Sequence, residues 1–243
     1  MHLFSGIYGV GPSIASKWVA QGHRTLDDIR TKVDLAPNQR IGLEHYEDFQ
    51  TRIPRSEVAE HARIVQEALR KFDPQLQLIV GGSYRRGNAD SGDIDCLITK
   101  EDADIEHIRN MVMELVVPFL TEIGFLKVAL TKTYTRDDGS KWHGASALPK
   151  SKVWRRIDLL FVPWNELGAA LIYFTGNDIF NRSIRLLASK HGFRLNQHGV
   201  FKEIMRGKQR ERTTEGSLIE GKSEHKIFEI LGVPWRPPED RKC

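Results

Sequence analysis

The stretch GGSYRRGNADSGDIDCLIT, Gly81 to Thr99, sets two adjacent glycines, a serine and two arginines ahead of two aspartates one residue apart. In a β-strand alternate side chains share a face, so Asp93 and Asp95 point the same way while Ile94 and Cys96 point into a core. Two carboxylates held side by side repel at neutral pH unless a cation neutralises them. Mg2+, a hard ion that prefers carboxylate oxygen, water and phosphate, is the natural candidate. Gly81 and Gly82 let the backbone approach a ligand, and Ser83 can begin a short helix whose free N–H groups favour phosphate. Arg86 adds a charged fork.

A third aspartate, Asp158, sits in WRRIDLLFVP, an otherwise apolar strand bounded by Arg155, Arg156 and Pro163. If that strand pairs beside the first, the three carboxylates form one cluster able to bind two metal ions about 3.5 to 4 Å apart. Taken singly each has an ordinary reading: Asp93 a turn residue, Asp95 an exposed strand position, Asp158 a partner of Arg156. Taken together with the glycines and Arg86, they point to a triphosphate and its magnesium held on one strand, turn and strand unit. That chemistry is nucleotidyl transfer.

Around this unit the chain divides by pattern. Residues 1–53 read as short helices, with Pro12 opening one and Gly22 closing it, and Thr25 with Asp28 capping the next. From Pro54 a longer helix buries Val58, Ala62, Val65, Leu69 and Phe72 along one stripe. Strands are expected at Leu76–Val80, Asp93–Thr99, Lys127–Thr135, Trp142–Leu148 and Trp154–Val162. A helix interrupted near Pro118 spans Asp102–Gly124, and DDGS at Asp137–Ser140 signals a hairpin turn. After Pro163 come helices at Glu166–Phe174 and Asp178–Lys190, short strand-like pieces, and a last helix at Glu224–Leu231. The expected class is α+β: a twisted sheet with helices over 54–164, a helical subdomain over 1–53, and an α/β subdomain over 165–243.

Composition narrows the function class. The 243 residues are 40% hydrophobic and carry a net charge of +4, which suits a compact domain with an anionic partner. No apolar run approaches the ~18 residues of a membrane span, and the first residues do not resemble a secretory signal. Cys96 and Cys243 offer neither a disulfide framework nor zinc-ligand spacing. Basic residues cluster at Arg85–Arg86, Lys150–Arg156, Arg182–Lys190 and Lys202–Arg212.

The segment around Asp93 and Asp95 resembles the nucleotidyltransferase signature of the family X DNA polymerases, the gap-filling repair enzymes, and the likeness covers nearly the whole chain. FSGIYGVGPSIASKW at the start is similar to the family's helix-hairpin-helix, YFTGNDIFNRSIRLLA to its nucleotide-binding face, and IFEILGVPWRPPEDR to its C-terminal segment. The resemblance implies a template-directed polymerase that adds a dNTP to a primer 3′-hydroxyl with two Mg2+ ions, Mn2+ being able to substitute. Asp93, Asp95 and Asp158 would be the catalytic metal ligands. Gly82, Ser83, Arg86, Gly92, Arg52, Tyr173, Phe174, Gly176 and Asn181 would bind the nucleotide. Gly9, Gly11, Arg156 and Arg185 would contact DNA, and the carbonyls of Ser5, Ile7 and Val10 would ligate a monovalent cation, Na+ or K+.

Gly92 and Tyr173–Phe174 replace the histidine and the glycine-tryptophan pair of template-independent relatives, which places the chain on the templated side, nearest the lambda-type branch with the beta-type next. By the same resemblance the partners are gapped or primer-template DNA and dNTP, with no membrane. The protein is expected to be monomeric and nuclear, serving base excision repair or end joining. These 243 residues begin at the hairpin element, so no lyase activity is expected of them. A template-independent terminal transferase and a non-catalytic DNA-binding module are the alternatives.

Overall fold

The computed structural model describes residues 2–131, 140–202 and 216–242. The predicted hairpin turn at Asp137–Ser140, the end of the Lys127–Thr135 strand, most of the Lys202–Arg212 basic cluster, and Cys243 fall wholly or partly outside them.

The first 50 residues form five short helices: α1 (His2–Ser5), α2 (Pro12–Ala20), α3 (Leu26–Lys32), α4 (Pro37–Glu44) and α5 (Tyr46–Gln50). Pro12 starts α2, and Thr25 and Asp28 close a reciprocal capping box on α3, as their spacing predicts. Phe4, Ile7, Trp18, Ile29 and Leu43 form a small core of their own. The expectation of an all-helical start needs one correction. Ile53 and Pro54 form a short strand, β1, that pairs with Asp90–Ser91, β3, so α6 (Arg55–Phe72) begins one residue after Pro54.

The central sheet has the order β2-β4-β7-β6-β5, from β2 (Gln77–Val80), β4 (Ile94–Thr99), β5 (Leu126–Ala129), β6 (Lys141–Ser146) and β7 (Arg155–Phe161). Only the β4–β7 pair is parallel. One face of this sheet packs on α6 and on α8 (Ile105–Met111) and α9 (Val117–Glu122), with Ile94, Cys96, Ile98, Ile157, Leu159 and Phe161 buried there. Burial pushes the Cys96 thiol pKa far up, leaving it inert. The helix expected to be interrupted near Pro118 is interrupted there: α8 gives way to a π-helical turn, Val112–Val116, before α9 resumes at Val117. Pro118 has no N–H to donate and its ring crowds the carbonyl one turn back. The ladder widens just before it, where Val117 N–H reaches the Val112 carbonyl.

The other face changes character along the strands. Alternation brings Asp95 and Leu97 of β4, and Arg156, Asp158 and Leu160 of β7, to this side. Leu97, Leu160 and Val162 pack under Ala170 and Phe174 of α10 (Leu167–Thr175), while the charged positions are left at the strands' leading ends. After α10 follow α11 (Asp178–Lys190), the three-stranded sheet β8 (Arg194–Asn196), β9 (Gly199–Lys202) and β10 (Ser217–Glu220), and α12 (Glu224–Ile230), around a third core that includes Phe180, Ile184 and Phe228. Among the described residues no helix is long and apolar enough to cross a membrane.

A polar seam ties the helical start to the sheet: Arg155 donates to both oxygens of Glu57, at 2.7 and 3.1 Å, and to the Thr51 carbonyl at 3.2 Å, while Trp154 stacks on His45 with ring centroids 3.7 Å apart. Next to it, His61 is fully buried with Nδ1 3.0 Å from Ser146 Oγ. Burial lowers the His61 pKa from 6.5 to about 4. The unfolded chain therefore takes up this proton before the folded one does. Stability present above pH 6.5 is lost as pH falls toward 4, by on the order of 2 kcal/mol. Urea titrations between pH 4 and 7 are expected to show this slope in the parent and a flatter one in His61→Leu; equal slopes would contradict it.

Candidate active site

In the parallel β4–β7 register Asp95 lies directly opposite Asp158, on the face that α10 leaves uncovered, and Asp93 stands one residue ahead of β4. The three predicted carboxylates are thus brought to one place. At Asp95, burial, followed by the charges of Asp93 and Asp158, pushes the pKa up to about 8. Arg156 and Arg86 oppose that rise. Each outer carboxylate has a protein cation or donor: Arg156 Nη2 lies 2.5 Å from Asp93 Oδ2, and His143 Nδ1 lies 2.8 Å from Asp158 Oδ1.

Among the described residues, no group of three or more His, Cys, Asp and Glu side chains is drawn together tightly enough to hold a metal as it stands. Asp93 turns to Arg156 and Asp158 to His143. The donor set nevertheless fits a hard divalent cation: three carboxylates share one face, and burial together with the two neighbouring charges pushes the pKa of the central one up.

The loop predicted to bind phosphate is built from the end of β2. Gly81 N–H donates to the Asp95 carbonyl at 2.8 Å, and Gly82 opens the four-residue helix α7 (Gly82–Arg85) with φ +56°. A side chain at Gly82 would be strained by that φ and would collide with Asp95 Oδ2. Ser83 Oγ lies 2.9 Å from Ser91 Oγ, which ties the loop to β3.

All nine predicted nucleotide-binding residues line one open cleft with Asp93 and Asp95. Several are engaged with one another there. Arg52 donates to Asp90 Oδ1 at 2.8 and 3.0 Å, Arg86 donates to the Thr175 carbonyl, and Asn181 donates to the Tyr173 carbonyl at 2.7 Å. The ion pair of Arg52 is the ordinary surface alternative to phosphate binding, and in this state it is formed. A second cleft adjoins the first at Asp95, Tyr173 and Phe174 and extends past Asp158, Lys141 and His143.

Of the predicted DNA contacts, Arg156 lies in the carboxylate cluster and Arg185 is exposed on α11, one turn beyond Asn181. Gly9 adopts φ +78° in the hairpin, and Gly11 is the N-cap of α2. Ser5 ends α1, and the Ile7 carbonyl of the expected cation site accepts the Val10 N–H at 3.1 Å. The hairpin backbone is also held by Gln50 on the Gly6 carbonyl, at 2.8 Å, and Gln39 on the Gly9 carbonyl, at 3.1 Å.

Two residues escaped the sequence reading. His143 belongs to a predicted strand, and its alternation with the core residue Trp142 carries the signal that it faces the carboxylates. Arg85, which shares a basic cluster with Arg86 in the sequence, points elsewhere: it meets Glu224 of α12 at 2.6 and 3.1 Å and Thr175 Oγ1 at 2.8 Å. No local pattern reveals that partner.

Three family models tile the chain: the fingers domain of DNA polymerase lambda over residues 2–50, the DNA polymerase beta palm over 52–164, and the DNA polymerase beta thumb over 170–242. DNA polymerase lambda of Rattus norvegicus is 36% identical over 242 residues, covering 99% of this chain and 42% of the relative. DNA polymerase lambda of Arabidopsis thaliana is 33% identical over 244 residues, covering 98% and 46%. DNA-directed DNA/RNA polymerase mu of Homo sapiens is 29% identical over 268 residues, covering 100% and 52%. The chain thus spans about half the length of these relatives. With palm, thumb and fingers all matched and lambda polymerases aligned along its entire length, the chain belongs to the family X DNA polymerases.

Proposed function

We propose that this chain is the catalytic part of a template-directed DNA polymerase that fills short gaps. The observation that carries the reading is the β4–β7 register, which sets Asp95 against Asp158 beside a glycine-opened phosphate loop. The subdomain borders near 53 and 164 belong to the same proposal.

In this reading a primer 3′-oxygen attacks the α-phosphorus of a dNTP, and pyrophosphate leaves. Two Mg2+ ions held by Asp93, Asp95 and Asp158 would, when bound, activate the hydroxyl and neutralise the departing charge. The chain's own groups do the rest by exchanging partners. Arg52 leaves Asp90, and Arg86 leaves the Thr175 carbonyl, as the triphosphate arrives with stronger acceptors for both. Ser83 and the Gly82 and Gly92 backbone complete the phosphate cradle. Tyr173 and Phe174 border the sugar, Asn181 reaches the base's minor-groove edge, and Arg185 lies along the template. The cleft beyond Asp158 takes the primer end, where Asp158 is placed to receive the hydroxyl proton.

The hairpin of residues 5–11 holds duplex backbone in the same reading, through a monovalent cation on the Ser5, Ile7 and Val10 carbonyls. Backbone contact of this kind ignores base sequence, which suits repair of gaps and ends in the nucleus by a monomeric enzyme. The test is primer extension on a one-nucleotide gap in Mg2+. Addition of the nucleotide complementary to the template, and of no other, is expected. Addition of any nucleotide regardless of template would establish the terminal-transferase alternative, and DNA binding without incorporation in either Mg2+ or Mn2+ the non-catalytic one.

A further inference from the structure

We infer that His143 is the positioning residue for Asp158, fixing which carboxylate oxygen is presented to the metal and the primer end. The inference rests on the polymerase reading and extends it to a residue outside the carboxylate set. His143 lies directly opposite Asp158 in the antiparallel β6–β7 register, and its Nδ1 is 2.8 Å from Asp158 Oδ1. The two side chains are equally enclosed, each 23% exposed, and both line the cleft that adjoins the nucleotide site.

The geometry supplies a reason for the contact. Arg156 stands two residues before Asp158 on the same face, and its guanidinium is engaged with Asp93 at 2.5 Å. Arg156 is thus committed to Asp93, and His143 gives Asp158 a donor of its own. An imidazole has only two side-chain torsions, so an Nδ1–H bond to Oδ1 orients the carboxylate firmly and leaves Oδ2 free. The bond needs a proton on Nδ1, which one neutral tautomer and the imidazolium both carry. Loss of a partner that orients a metal-binding group typically weakens metal affinity about 10- to 100-fold.

The experiment measures Mn2+ binding by the loss of its free-ion EPR signal, using the chain on gapped DNA with a dideoxy-ended primer and the complementary dNTP. Incorporation on extendable DNA is followed in parallel. His143→Leu is expected to weaken Mn2+ binding roughly ten-fold or more and to raise by a similar factor the Mg2+ concentration for half-maximal incorporation. At saturating metal its KM for dNTP should stay within about two-fold of the parent. His143→Asn, whose amide can stand where Nδ1 stands, is expected to recover most of the loss. A Leu variant that binds Mn2+ like an active parent would overturn the inference alone, as would an Asn variant no better than Leu at equal melting temperature. A parent that incorporates nothing would remove the polymerase reading and this inference with it.

Discussion

Asp95→Asn is expected to abolish nucleotide incorporation and, in the absence of divalent metal, to make the protein more stable. Both effects come from one carboxylate. In the polymerase reading Asp95 is shared by both metal positions, so its loss removes several kcal/mol of transition-state stabilisation, a fall in kcat of roughly 10^3-fold or more. For the fold, the same carboxylate is a burden: burial and its two acidic neighbours raise its pKa from 3.8 to about 8. Between those values the folded chain holds a proton that the unfolded chain has released, so stability declines as pH rises through this window. The near-isosteric amide carries no charge to be crowded, and at pH 8 in EDTA it should stabilise by on the order of 2 kcal/mol, a rise in Tm of about 4–8 °C. At pH 5 the advantage should shrink. Mg2+ should raise the Tm of the parent and leave Asp95→Asn unmoved. A variant whose Tm at pH 8 equals or falls below the parent's would show that the carboxylates are not crowded as their register implies.

How much of this site can be read from sequence depends on how far each partner lies along the chain. The parity of Asp93 and Asp95 is local, and Ile94 and Cys96 are buried as that parity demands. The helix stripe at Val58, Ala62, Val65 and Leu69 is equally local and equally buried. In α11, Phe180 and Ile184 enter the core while Ile179 stays exposed. Legibility ends where pairing is set by tertiary structure. That β7 lies parallel beside β4 could be posed only as a condition, since periodicity says nothing of neighbours. The two-residue strands β1 and β3 are too short to have a period at all. Arg85 and Arg86 look alike in sequence, yet a helix turn sends them to opposite errands, one to Glu224 across 139 residues and one to the cleft.

That divergence leads to the second large effect, on stability. Glu224 is 8% exposed and serves two arginines: Arg85 of the glycine-opened loop, and Arg241, which is fully buried and 2.8 Å away. Arg241 also donates Nε to the Arg236 carbonyl at 2.9 Å, and its guanidinium faces the rings of Phe180 and Phe228 at 5.5 and 5.4 Å. Burial lowers the Arg241 pKa, and the Glu224 charge opposes that shift. Removing the one carboxylate leaves two guanidinium groups in a nearly dry site, a loss that typically costs about 3–5 kcal/mol. Glu224→Ala is therefore expected to lower Tm by about 6–20 °C, while Glu224→Gln, which keeps an acceptor but not the charge, should fall between. Because Arg85 precedes Arg86 in the loop, the Ala variant should also raise KM for dNTP at temperatures where it remains folded. The contact is an ionic link between the glycine-opened loop and the layer that carries Tyr173, Phe174 and Asn181. A melting temperature within about 2 °C of the parent for Glu224→Ala would mean that apolar packing at Leu97, Leu160 and Ala170 suffices to hold the two layers together.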